Sequence, residues 1–463
     1  MILFDPLSDP LLTEVACSDV IRQARVTRVS SKGMKKLARV SLKRSESGTH
    51  SVFRKFGRSL DVKISRTDLV SKPNFPYVKS SDWLKHVVET DNLQQLVGVK
   101  NVADMRTILS TFWGRYESLF PEHVVFSRRD PGFSREFCIP VLYHGDERRG
   151  LKKRQLMVLS THGVLGAGST YSNAMQNDID DPVLGPLRLN MVGNTFLNHF
   201  LQCVLPITLY NETPEDFYSM LDLQAQEFAQ LFQHGLKVCG HRFFICCIGV
   251  KGDAPFLSKS GMFERHFLRR PTRPTGRVPC AGVCHLCLAG KESAPNQCDW
   301  PFEEFGAINP LWRETMGVES PYSTPSPLLQ IPYETTGTNE GLWKFDLFHN
   351  FHSGMGKYFA SSAVCIVLEM IDNTIDGAFA TITEDFKTFC VHQKECPYHK
   401  KLSASLFGVH VGFGVCPEAA WSKGSFTYLV LKWLGDWCQR NVIGKTQDDL
   451  YLMTVTGFCF RTF

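Results

Sequence analysis

Two stretches of this chain carry residue types that do chemistry. The first is Lys251-Gly252-Asp253, which follows an apolar run from Phe243 to Val250. A short run so rich in β-formers predicts a buried strand. A carboxylate just past such a strand sits at a sheet edge, where a site can be built on a rigid scaffold. The competing reading makes Asp253 the cap of a helix opened by Ala254-Pro255. The second stretch holds Cys280, Cys284 and Cys287, spaced C-x3-C-x2-C, with His285 inside. A C-x2-C turn aims two thiolates at one centre, as tetrahedral zinc requires. Cys298 is the nearest fourth ligand, with His285 and His266 as rivals. The competing reading is three buried thiols packed as small hydrophobes.

These residues need elements to position them. Phe137 to Tyr143 reads as a strand leading into His144-Gly145-Asp146-Glu147, and Gln155 to Ser160 as its hairpin partner across the charged turn Arg148 to Arg154. Thr195 to Leu205 reads as a third strand, and Pro214 to Leu236 as a helix. That helix lets the strand ending at Asp253 run parallel to the first. Asp146 and Asp253 then meet at one sheet edge. Two such carboxylates suit magnesium or manganese. Further on, Leu342 to Phe348 reads as a strand and Gly356 to Met370 as a helix. Asp346 and His349 form a D-x2-H pair between them. A helix cap and a core histidine are the plain alternatives for that pair.

At 463 residues the chain can bury a large core. No apolar run reaches the roughly 20 residues of a membrane span, so no membrane partner is expected. The first residues carry acids where a secretory signal needs positive charge. An intracellular chain is expected, with its 16 cysteines as ligands and buried thiols. The net charge is only +5, yet Arg22 to Arg66 is dense in Lys and Arg and poor in acids. Such a segment suits a phosphate backbone or an acidic partner. Short strands are expected within Val26 to Leu42 and Val52 to Ile64. Helices are expected over Ser81 to Phe120, Glu384 to Cys390 and Ser425 to Arg440.

The ordered set of Tyr143-His144-Gly145-Asp146, Lys251-Gly252-Asp253-Ala254-Pro255-Phe256, the cysteine cluster and Asp346-x2-His349 resembles the CACTA-type cut-and-paste transposases. It is closer still to a family of uncharacterised transposase-like proteins of protists. The resemblance spans about Phe137 to Trp437. It implies an α/β fold: a ribonuclease H-like mixed sheet flanked by helices, with a zinc-knuckle insertion and an appended basic N-terminal region. By position it implies a basic region over 1–80 and a helical segment over 81–136. The ribonuclease H-like core then runs over 137–270 and 341–463, the second part ending in helices, around a zinc-knuckle insertion at 271–340. Asp146 and Asp253 match the first two catalytic acids. Asp346 and His349 match the signature that follows, and Glu369 is the best-placed third acid, with Asp346 its rival. The implied activity is magnesium- or manganese-dependent cleavage and transfer of DNA strands in the nucleus, with zinc as a structural ion and a homo-oligomer as one assembly. The alternative is a catalytically inactive derivative that binds nucleic acid or protein.

Overall fold

In the computed structural model the described residues are 21–441, apart from 23, 27–30, 57–59, 61, 150–154, 169–186, 192–197, 268–277, 295–296, 305, 335–339, 347, 372–373 and 410–416. The chain forms two compact units, Met1–Lys344 and Phe345–Phe463.

The first unit opens with two helices, α1 (Lys32–Ala38) and α2 (Ser45–Lys55). Short strands were the expectation within Val26 to Leu42 and Val52 to Ile64; helix stands instead over 32–38 and 52–55, and 27–30, 57–59 and 61 of those ranges fall outside the described residues. Ser31 caps α1 by accepting from the Met34 N–H, and Lys, Met, Leu and Ala are strong helix formers. A small antiparallel pair follows, β1 (Ser65–Thr67) with β2 (Phe75–Tyr77). Helices α3 (Ser80–Glu89) and α4 (Val102–Leu119) come next. Met105, Leu109, Phe112, Trp113 and Tyr116 form the buried stripe of α4, and Trp113 Nε1 donates to the Cys138 carbonyl at 2.8 Å.

The main sheet positions the acids. Its strands are β3 (Cys138–Arg149), β4 (Gln155–Gly163), β5 (His199–Pro206), β6 (Leu236–Val238) and β7 (His241–Gly252). Further on come the small hairpin β8 (Glu292–Ala294) with β9 (Gln297–Cys298), and β10 (Trp343–Phe345). The main sheet is mixed, in the order β10-β7-β3-β4-β5, with β6 paired to β7. β3 runs antiparallel to β4 and parallel to β7. The parallel pair requires a crossover, which helix α5 (Pro214–Gln233) supplies between β5 and β6. Its buried face repeats at helical spacing through Phe217, Met220, Leu221, Ala225 and Phe228. Phe228 packs edge-on against Tyr143 of β3 at 5.8 Å between ring centroids.

Several expected boundaries shift. β3 continues to Arg149, so Asp146 lies within the strand; 150–154 of the expected turn fall outside the described residues. The third strand starts at His199, with 195–197 again outside them. The strand expected over Leu342 to Phe348 shrinks to Trp343–Phe345. Asp346 turns the chain there by accepting from the Phe348 N–H at 2.9 Å.

The second unit is helical, with a wide-turned stretch Phe348–Met355, α7 (Gly356–Glu369), α8 (Ile375–His392) and α9 (Gly424–Asn441). Phe386, Trp421, Phe426 and Trp433 fill its core. Trp433 Nε1 and Arg440 both bond Asp385. Trp433 and Trp437 are buried, so neither presents a ring to a nucleic-acid base.

Candidate functional site

The two acids are brought together by the register of the central strands. Gly145 pairs with Gly252 in the parallel β3–β7 ladder, and each glycine is followed by an aspartate. Asp146 within β3 and Asp253 just past the end of β7 therefore each follow one member of that glycine pair, on neighbouring strands whose backbones lie about 5 Å apart. The paired glycines have a steric cause. A Cβ at Gly145 would lie 2.0 Å from Phe256 Cε2, and one at Gly252 2.3 Å from Phe256 Cδ1. The Phe256 ring thus lies flat across both strand ends. It anchors helix α6 (Ala254–Ser260) there, and burying such a ring contributes about 1.5–3 kcal/mol. Asp253 caps this helix, its Oδ1 accepting from the Phe256 N–H at 2.8 Å. The cap and a site role coexist, because a carboxylate has about four lone-pair positions.

On the opposite side of β3 stands a polar group the sequence did not announce. Glu147 Oε1 accepts from the Tyr210 hydroxyl, and Lys259 Nζ lies 4.7 Å from the Tyr210 ring centroid. Lys259 also donates to Asn211 Oδ1 at 3.2 Å. Burial lowers the Lys259 pKa, while Glu147 and Asp253 pull it back up. Burial raises the Tyr210 pKa, with Glu147 adding to the effect. Lys259 is thus a resident cation close to Glu147 and Asp253. Its signal was its place on the first helix after Asp253, seven residues from Gly252.

In the second unit, Asp346 is buried, and its Oδ2 lies 3.1 Å from His349 Nδ1. Its other oxygen takes the Phe348 N–H. Glu369 stands exposed at the last residue of α7. From Gly356 to Glu369 the helix rises about 20 Å, so these two acids belong to different ends of that element.

The cysteines lie in the first unit, before and within the β8–β9 hairpin. Leu286 N–H donates to Cys284 Sγ at 3.3 Å. The Ala289 N–H does the same for Cys287 and the Trp300 N–H for Cys298. Each donor is two residues beyond its cysteine. Cys284 and Cys287 share a hydrogen bond between their side chains. Cys280 is tied to the hairpin, its N–H donating to Glu292 Oε2 at 2.9 Å, and Glu292 pairs with Cys298. Buried Arg265 pins this region by donating to the carbonyls of Cys284, Glu319 and Ser320. His285 stacks on Phe263 at 4.7 Å and 8°, which commits its ring to packing. As the side chains stand, no three His, Cys, Asp or Glu among the described residues converge closely enough to enclose an ion.

Comparison of the chain with protein-family models, with curated proteins and with solved structures gives no match.

Proposed function

We propose that this chain is a transposase-related DNA-binding protein with a ribonuclease H-like core. Asp146 and Asp253 are its first two catalytic acids, and its reaction is metal-dependent cleavage and transfer of DNA strands. The observation that carries the proposal is the Gly145–Gly252 register. Asp146 on β3 and Asp253 just past β7 each follow one glycine of that pair, in a sheet ordered β10-β7-β3-β4-β5, and this supports the reading. That is the strand order of a ribonuclease H-like core, with its first acid on the first strand and its second after the fourth. Two adjacent carboxylates are a donor set that fits magnesium or manganese. The ion bound there would supply charge neutralisation at the scissile phosphate and a more acidic attacking hydroxyl.

The chain's own residues do the positioning. Phe256 and the paired glycines fix the strand ends, and the helix cap orients Asp253. Cys280, Cys284, Cys287 and Cys298 are the proposed zinc ligands. Their support is the repeated N–H to sulfur bonding, which stabilises thiolate charge.

One observation favours the second reading, a catalytically inactive derivative: Lys259, a resident cation, lies close enough to Asp253 for that carboxylate to raise its pKa, and it competes there with a metal ion. Strand cleavage assays with magnesium and with manganese decide between the two. Loss of cleavage in Asp146→Asn and in Asp253→Asn, with DNA affinity kept, is expected. Cleavage that survives Asp253→Asn, or an inert wild-type chain that still binds DNA, would favour the inactive reading.

A further inference from the structure

The second unit carries an exposed pairing of tyrosines with lysines that neither reading above uses. Helix α8 ends at His392, and Lys394 turns the chain in the left-handed region at φ 56°. The Lys394 N–H donates to the Val391 carbonyl at 3.1 Å, and the Glu395 N–H to the Cys390 carbonyl at 2.9 Å. This bonding closes a helix C-terminus and reverses the chain. The reversed loop then runs along α9. Glu395 Oε1 lies 3.9 Å from Lys432 Nζ, and the His399 ring packs edge-on against Phe426 at 5.0 Å. Tyr398 comes to stand beside Lys423, whose Nζ is 5.9 Å from the ring centroid. On α9 itself, Lys432 Nζ is 5.1 Å from the ring centroid of Tyr428, one turn earlier on the same helix face.

We propose that this surface binds single-stranded DNA, with Tyr398 and Tyr428 as stacking rings and the lysines around them as phosphate contacts. The inference rests on the DNA-binding reading above and gives it a contact apart from the basic N-terminal segment. The exposure of the rings carries it. Tyr398 is 64% exposed and Tyr428 46%, in a unit whose tryptophans Trp421, Trp433 and Trp437 are all buried. A ring left in water adds little to the stability of the fold, because its apolar area stays wet. It offers a flat face to an unstacked base instead. Such stacking is indifferent to sequence, since every base has a π-face.

The charge is the second observation. The loop 394–401 holds Lys394, Lys400 and Lys401, all exposed, against the one acid Glu395, which lies near Lys432. Lys423 is exposed as well. Cations interleaved with rings along one track are what a single strand needs, with phosphates on the lysines and bases on the rings. An acidic peptide would take the lysines and leave the rings idle. A duplex keeps its bases stacked, so the rings gain nothing from it. The lysine–ring pairs are weak at exposed positions and yield to a base. The track is short, because Lys423 to Lys432 is a rise of about 14 Å along the helix. It fits a few nucleotides.

The test uses the full chain and an oligothymidylate of about ten nucleotides, which forms no duplex, with fluorescence anisotropy as the readout. Tyr398→Ala combined with Tyr428→Ala is expected to weaken binding at least about tenfold. Tyr398→Phe with Tyr428→Phe keeps both rings and should cost less than about twofold. Affinity for a blunt duplex should change less than about twofold in either. Lys400→Gln with Lys423→Gln should flatten the plot of log affinity against log salt by about 0.7 for each phosphate released. This second pair decides the matter if the Ala pair lowers the unfolding temperature. Ultraviolet crosslinking of a strand carrying 5-iododeoxyuridine should map to 394–401 or to Tyr428. An affinity unchanged in the Ala pair would overturn the proposal, as would equal losses in the Ala and Phe pairs. So would an unchanged salt slope, or crosslinks confined to other segments. A poly-glutamate peptide bound as tightly as the oligothymidylate, with or without the rings, would make this an acidic-peptide surface instead. A chain that binds duplex but not the oligothymidylate overturns this inference alone. A chain that binds neither overturns the DNA-binding reading with it.

Discussion

At the scale of residues, the site depends on what is missing as much as on what is present. Gly145 and Gly252 are the only residue type that lets Phe256 lie across both strands. Gly145→Ala pushes a methyl into the Cε2 edge of that ring and is expected to destabilise the first unit by about 1–3 kcal/mol. Urea unfolding followed by tryptophan fluorescence measures it. Gly145→Ala combined with Phe256→Leu, which makes room, should recover part of the loss. His123 sets a pH dependence in the same unit. It is 2% exposed, its Nδ1 accepts from the Val125 N–H, and burial with nearby Lys344 pushes its pKa down to about 4. The unfolded chain takes up a proton near pH 6.5 while the folded one resists until about 4. Stability from this group is therefore complete above 6.5 and is lost as pH falls towards 4, by up to about 3 kcal/mol. In His123→Asn, which keeps an acceptor for Val125, the slope of stability against pH in that window should fall by nearly one proton. An unchanged slope would remove His123 as its source.

At the scale of elements, the proposed knuckle is the most exposed to a single change. It has little regular structure beyond the β8–β9 hairpin, and Arg265 and the cysteines hold it. Cys284→Ser is expected to remove zinc from the purified chain and to raise hydrogen exchange over Cys280–Trp300. β3 and β7 should stay protected, since their core does not include this segment. Elemental analysis and exchange mass spectrometry check both halves. The elements that sequence made legible were those with a strong period or a buried run. β7 was readable because Phe243 to Val250 is apolar throughout, and α5 because its buried residues recur every three or four positions. The parallel β3–β7 pairing followed from the helix between β5 and β7. The N-terminal helices fall where short strands were expected, within Val26 to Leu42 and at the start of Val52 to Ile64. The Ser31 cap and the run Lys32–Ala38 between them decide the matter locally. The packing of the His144, His162 and His199 rings against one another was not legible at all. These residues are 18 and 37 residues apart along the chain, and only the register of three strands assembles them.

At the scale of the whole molecule, the charge is uneven in space as well as in sequence. Lys35, Lys36, Arg39, Lys43, Arg44, Arg54 and Lys55 are exposed on or beside α1 and α2. Lys36 and Lys55 crowd each other closely enough that Lys55 lowers the Lys36 pKa, first through a hydrogen bond and then through repulsion. Like charges held this close are relieved by a polyanion, and DNA phosphates release counterions on binding them. Among the described residues no helix is long and apolar enough to cross a membrane. The expected role is affinity without sequence choice, because phosphate contacts position a duplex and base contacts read it. Replacing Lys36 and Lys55 together by Gln should weaken binding about equally on unrelated duplexes. It should also flatten the plot of log affinity against log salt by about 0.9 for each phosphate no longer neutralised. Fluorescence anisotropy over a salt series measures this directly. A slope that stays at the wild-type value would show that α1 and α2 do not meet the phosphates. A loss confined to one DNA sequence would mean that this region reads bases.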